Sequence, residues 1–316
     1  MMHDRLSAVG YGALFAAAAA APFLTGVYGQ GVLLQLYCWI ALTASWSAFS
    51  GMTGYISLGH AVFYGLGGYL LALTWGGAPM GVILVVSAAA AALLALILGL
   101  PSLRVRGPYF VILTFGLAEF AKYVIVAIES ALGSSGRLLM DAPSTLTLCL
   151  AMLVLAVLGV ALLIWLNRSK LGVALRAVRE DEVAAATLGV ATTRVKLIAF
   201  VLSAMIPALA GAIAALRSTF FEPMQMFNPM TSFTIVTMAM IGGSDKPAGP
   251  ILGALLLTLL SELLWARAPE VYMIALGGLL LFFVFVMPEG LVGRLGRSVR
   301  KPAVSRSKAR TELRTS

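Results

Sequence analysis

Apolar residues run along this chain in blocks separated by short polar or proline-bearing breaks, each block close to the roughly 20 residues that carry an α-helix through a bilayer. From Leu6 to Leu103, 98 consecutive residues contain no Asp, Glu, Lys or Arg. The pattern predicts helices over residues 7–27, 31–49, 57–75, 80–100, 109–129, 146–166, 197–217, 230–242, 249–265 and 271–288. Pro101, Pro108, Pro143, Pro223, Pro229, Pro247, Pro250, Pro269 and Pro288 fall at or near the proposed ends, where a missing N–H costs least. Pro207 lies inside a span and predicts a tolerated kink. The expected fold is all-α, a polytopic helical membrane protein with about ten transmembrane or re-entrant helices. The count falls to eight if 57–68 and 230–242 re-enter rather than cross.

Charge sets the topology. Arg5 stands at the start, Arg104 and Arg106 follow the neutral run, six basic residues occupy 168–196, and eight more close the chain. With every cluster on the cytoplasmic side, the crossings between clusters are even in number and both termini are cytoplasmic. The net charge of +9 does not call for a nucleic-acid partner, because the surplus is local. Past Gly293 lie eight basic residues and one acid, leaving 14 basic and 12 acidic residues elsewhere. The expected organisation is one membrane domain, residues 1–293, with a cytoplasmic segment at 168–196 and a basic cytoplasmic tail at 294–316.

Composition agrees: 60% of residues are hydrophobic and 11% charged, against about a quarter charged in soluble domains. Cys38 and Cys149 fall in separate apolar blocks, which points to packing rather than a disulfide or metal pair. The alanine-rich run after Arg5 resembles a signal peptide, but its apolar stretch exceeds the usual h-region, so a retained first helix is expected.

Three segments carry candidate chemistry. Residues 51–69, GMTGYISLGHAVFYGLGGY, are too glycine-rich for a plain lipid-facing helix. Ser57, Ala61 and Gly65 recur every four residues, a small-residue packing pattern. A broken or re-entrant helix starting near Ser57, with free N–H groups aimed at a cavity, is the sharper alternative. His60 in this segment reads as a hydrogen-bonding group between helices rather than a proton relay or metal ligand. Glu119 and Lys122 lie within one span at a spacing that favours mutual neutralisation. The candidate substrate-pathway residues are therefore Ser57, Gly59, His60 and Glu119. From Asn167 to Lys196, a helix would align Leu171, Leu175, Val178, Ala185 and Gly189 with Glu182 interrupting the stripe. Its mixed charges suit a docked protein better than a headgroup layer. There is no GxxxxGK[ST], HExxH or GxSxG motif, so neither ATP binding nor enzymatic chemistry has visible residues, and no cofactor or metal is expected.

Taken together, GYISLGHAVFYGLGGY at 54–69, LRVRGPYFVILTFGLAE at 103–119, SKLGVALRAVREDEVAAATLGV at 169–190, TRVKLIAFVLSAMIPALAGAIAAL through Leu216, GPILGALLLTLL ending at 260 and FFVFVMPEGLVG at 282–293 resemble the permease subunits of branched-chain amino acid ABC transporters, in their LivM-like branch. The resemblance covers about residues 30–293. It implies a permease of the bacterial inner membrane, forming half of a translocation pathway for branched-chain amino acids or related small polar solutes. Its implied partners are a second permease subunit, two ATP-binding subunits and a periplasmic substrate-binding protein. It also implies an ATPase-coupling role for Arg176, Arg179, Glu180, Asp181, Glu182, Ala184, Ala185 and Gly189. Val183 replaces the acid of the family's EAAxxxG loop, and SDKPA at 244–248 replaces a Gly-Thr-type turn. The rival class is a stand-alone secondary carrier or channel, for which only Glu119, Lys122 and His60 could couple ions.

Overall fold

A computed structural model describes residues 17–105, 107–133, 136–218, 220–244 and 246–265, together with Ile274, Gly277 and Gly278. Apart from Ile274, Gly277 and Gly278, the predicted span 271–288 lies outside the described residues, as do the tail 294–316 and the first part of the 7–27 block. The helices are α1 (17–24), α2 (Val27–Trp46, continued by a π-helical turn at Ser47–Gly51), α3 (His60–Thr74), α4 (Met80–Ser102), α5 (Pro108–Ala131) and α6 (Thr145–Arg168). After them come α7 (Lys170–Glu180), α8 (Glu182–Thr187), α9 (Thr192–Ala215), α10 (Pro223–Met226), α11 (Pro229–Gly242) and α12 (Ala248–Trp265). Segments Val27–Gly51, Met80–Ser102, Pro108–Ala131, Thr145–Arg168 and Thr192–Ala215 are long and apolar enough to cross a membrane, which makes this a multi-pass membrane protein. Prolines begin α5, α10 and α11, as their fixed φ favours. Pro207 lies buried inside an unbroken α9.

The bundle is built on small residues. α2 packs on α6, and α3 and α4 pack on α9. Ala91 and Ala95 of α4 and Ala199, Ala204, Ala208, Ala210, Ala212 and Ala215 of α9 are all buried. A Cβ on Gly67 would stand 1.8 Å from the Ala208 carbonyl oxygen, and one on Gly211 would stand 1.8 Å from that of Tyr64. Backbones thus touch between α3 and α9, the contact that small residues permit and that lipid tails cannot replace. The outward faces are apolar: Ile112 and Phe120 of α5 and Val85 and Leu93 of α4 are exposed, as a lipid-facing surface requires.

Two crossings are broken rather than continuous. α3 has 15 residues and α11 has 14, each spanning about 22 Å, short of the roughly 30 Å hydrocarbon core. The Ala61 N–H donates to Ser232 Oγ at 3.0 Å, so the first turns of the two half-helices overlap. From there α3 and α11 run to opposite ends of the bundle. At the end reached by α11, Ser244 packs on Gly51; at the other end, Trp75 Nε1 donates to the Met140 carbonyl. The predicted loop 133–144 is not featureless: Arg137–Leu138 (β1) pairs antiparallel with Phe220–Phe221 (β2), Arg137 opposite Phe221. Cys38 and Cys149 are buried and free.

Candidate functional site

The break between α2 and α3 arises because its residues offer the backbone other partners. Ser50, Thr53 and Ser57 supply hydroxyls that compete with helical hydrogen bonds, and Gly54 takes φ +75°, a conformation that suits glycine. Almost every donor is then matched, as membrane burial demands. Gly54 N–H donates to the Ser50 carbonyl, Ser57 N–H to Ser50 Oγ, Leu58 N–H to Thr114 Oγ1 and Gly59 N–H to Ser57 Oγ. Trp46 Nε1 donates to the Ser57 carbonyl at 2.8 Å.

This geometry corrects three expectations. The helix starts at His60 rather than Ser57, so Ser57 stands outside the Ala61–Gly65 stripe. These N–H groups are held by hydroxyls and carbonyls of the same chain instead of being free, because the local serines and threonines reach them first. Ser57 and His60 are fully buried and Gly59 is buried beside them. His60 does not bridge helices by hydrogen bonding either. Among the described residues neither ring nitrogen has a partner, and the ring stands edge-on to Phe63 at 6.3 Å. Glu119 pairs with Lys122 at 2.5 Å, the neutralisation their spacing favoured.

Each unpartnered buried nitrogen costs about 1–3 kcal/mol. His60→Phe keeps an aromatic ring while removing both nitrogens, so the melting temperature of the purified protein should rise by several degrees. A fall would mean that the nitrogens find partners.

The 167–196 segment is three pieces rather than one helix. Asp181 adopts an extended conformation between α7 and α8, and its carboxylate accepts from the N–H groups of Val183 and Ala184. This N-cap is what divides the stripe. Gly189 follows α8 at φ +88°, a helix-ending position where glycine is favoured. Leu175, Val178 and Ala185 point inward. Arg176 is exposed and bonds the Asn167 carbonyl and side chain, while Arg179 reaches inward to the Gly51 carbonyl at 2.8 Å. Outward face Glu180, Asp181, Ala184, Val183 (56% exposed) and Leu188 (84% exposed).

One cluster was missed from the sequence. Lys196, at the start of α9, is 1% exposed and donates to Glu182 Oε1 at 2.7 Å, to the Leu103 carbonyl at 3.1 Å and to Tyr55 OH at 3.3 Å. The Tyr55 hydroxyl donates to Glu182 Oε2, and the ammonium sits 4.4 Å from the Tyr55 ring centroid. These contacts tie α8, α9, the α4–α5 connection and the 54–59 break into one unit. The signal lay in Glu182, the acid interrupting an apolar stripe, and in a lysine at the mouth of the next span. Ser244 packs against Gly51, whose carbonyl accepts from Arg179.

Comparison with known proteins agrees with this architecture. Residues 31–285 match the family described as branched-chain amino acid transport system / permease component. The high-affinity branched-chain amino acid transport system permease protein LivM of Salmonella typhimurium (strain LT2) is 30% identical over 320 residues, covering 89% of this chain and 73% of that protein. The LivM protein of Escherichia coli (strain K12) is 29% identical with the same coverage. The permease protein LivH of Escherichia coli (strain K12) is 33% identical over 135 residues, 42% of this chain and 43% of that protein. No solved structure matches.

Proposed function

The chain belongs to the family of branched-chain amino acid transport permease components, and from that premise we propose that it is one membrane subunit of an ATP-driven ABC importer in the bacterial inner membrane. In this reading it forms half of the path for branched-chain amino acids or related small polar solutes and carries no catalytic group. Charge supports the orientation. Among the described residues, Arg104, Arg168, Lys170, Arg176, Arg179, Arg194, Lys196 and Lys246 gather at the α7–α8 end. The opposite end carries Glu129, Arg137, Asp141, Arg217, Glu222 and Glu262. In this reading the basic end faces the cytoplasm, both termini are cytoplasmic, and residues 1–293 form one domain followed by a basic tail at 294–316.

The observation that carries the reading is α8. Its inner face is fixed by Ala185 and Glu182, while Val183, Ala184 and Leu188 are presented outward beside Arg176 and Glu180. An exposed apolar step ringed by mixed charge at the cytoplasmic end suits a docked protein, here the ATP-binding subunits. Nucleotide-driven closure pushes α7–α8. The Lys196–Glu182–Tyr55 cluster passes that displacement to the 54–59 break, and Ser57, Gly59 and His60 meet the solute only when the break shifts. His60 then gains the partners it lacks in the described conformation. Glu119, neutralised by Lys122, belongs to the protein-facing side of α5. The partial match to LivH supports a second, related permease subunit as partner, with a periplasmic binding protein delivering solute to the opposite end.

Leu188→Asp tests the docking face without touching the inner one. Recovery of the ATP-binding subunits with the permease should fall at least tenfold, with membrane insertion unchanged and ATP-dependent uptake lost. Uptake that continues in vesicles free of any ATPase would instead make this a stand-alone carrier.

A further inference from the structure

At the end of the bundle opposite α7–α8, two cavities of about 350 and 500 Å³ adjoin and share Gln35, Trp39 and Arg217 in their linings. Each falls within the size range of small-molecule sites. The smaller cavity reaches Leu42 of α2 and Thr231 in the first turn of α11. Leu42 stands 15 residues along α2, about 22 Å from its first residue, so the space descends to mid-bilayer depth. The larger one is bounded by Glu262 and Thr258 of α12.

The polar groups here are placed for a guest. Arg217 is exposed, yet its guanidinium turns to Gln35 Oε1 at 3.3 Å. Gln35 is eight residues, about 12 Å, along α2, so the guanidinium faces the cavity rather than the headgroups. Among the described residues no carboxylate pairs with it, and most of its five N–H donors remain for an anion. Across the shared space, the Tyr28 hydroxyl donates to Glu262 Oε1 and fixes that carboxylate. Thr258, 6% exposed, belongs to the cavity wall. Ionisable groups this close to the bilayer face water-filled space or protein, not lipid. The walls between the charges are apolar, Trp39, Leu34 and Leu42 among them.

We propose that this vestibule binds a zwitterionic α-amino acid with an apolar side chain, its carboxylate on Arg217 and its ammonium on Glu262. The direction in which such a site works rests on the importer reading; the site itself does not. The positive end of the α11 dipole near Thr231 adds to the field that Arg217 supplies.

The test is photo-crosslinking of the assembled transporter with a diazirine analogue of leucine, the labelled residues being mapped by mass spectrometry. Labelling should fall on α2, α9 or α12 around Trp39 and Arg217. Excess leucine should suppress it at least tenfold, whereas isoamylamine, lacking the carboxylate, and isocaproate, lacking the ammonium, should not. Arg217→Gln and Glu262→Gln should each cut the labelling at least tenfold, with Arg217→Lys retaining part of it. Labelling elsewhere overturns the proposal, as does equal competition by isocaproate and isoamylamine, or Arg217→Gln within twofold of the parent protein. Vestibule labelling that survives while ATP-driven uptake is absent would overturn the importer reading and leave the site standing.

Discussion

Lys196→Met should reduce ATP-dependent uptake below a tenth of the parent value and lower the stability of the purified chain by about 3–5 kcal/mol, the cost of breaking a buried ion pair by removing one partner. Lys196 is 1% exposed and holds Glu182, the Leu103 carbonyl and Tyr55 together, so its removal takes a buried cation from the carboxylate and a donor from the carbonyl at once. Stability alone would not distinguish a coupling role from a structural one. The double variant Lys196→Met, Glu182→Leu replaces both charges by apolar groups, which commonly restores stability. Its melting temperature should return near that of the parent, while uptake stays below a tenth, because the linkage from α8 to the 54–59 break is gone. Parent-level uptake by the double variant would reduce the cluster to packing.

Gly67→Val should leave no monodisperse protein in detergent. The added carbon would lie 1.8 Å from the Ala208 carbonyl oxygen, and that obstacle is backbone in the middle of α9, so no rotamer change relieves it. Overpacking in a core that can adjust costs about 1–3 kcal/mol; here α3 and α9 must separate, and the expected loss exceeds that range. Gly81→Val is the control. It lies in α4 with nothing within 4 Å of the added carbon, and size-exclusion profiles of this variant should match the parent. If Gly67→Val also matched the parent, the close approach of α3 and α9 would be wrong.

The crossings were legible in the sequence because lipid imposes one rule on all of them, an apolar block of sufficient length closed at its ends by proline or charge. α4, α5, α6 and α9 fall within a few residues of the predicted blocks. Glu119 and Lys122 likewise announced their pairing by spacing alone. The break before α3 was visible as an excess of glycine, but its start was misplaced by three residues. Ser57 looks like a small packing residue in a linear pattern, whereas its hydroxyl and carbonyl are spent on Gly59 and Trp46. The division of the 167–196 segment was hidden for a similar reason, since Asp181 reads as one of three acids until its carboxylate is seen capping α8. The Lys196 cluster was the least legible. It joins residues from four parts of the chain, and a helical wheel drawn on any one of them shows an isolated charge. The vestibule around Arg217 belongs to the same class, because Gln35, Arg217 and Glu262 share no local pattern.

The short pairing of Arg137–Leu138 with Phe220–Phe221 bears on how the molecule is made. Glu129, 2% exposed, is held by Tyr69 and Arg137, and the β1 strand that carries Arg137 has no strand partner until residue 221 has been synthesised. The nine helices α1 to α9 all precede β2 in the chain, so they are made before this seam exists. A nascent chain still short of β2 carries an open flank on that side, which only the later arrival of Phe220–Phe221 stitches shut.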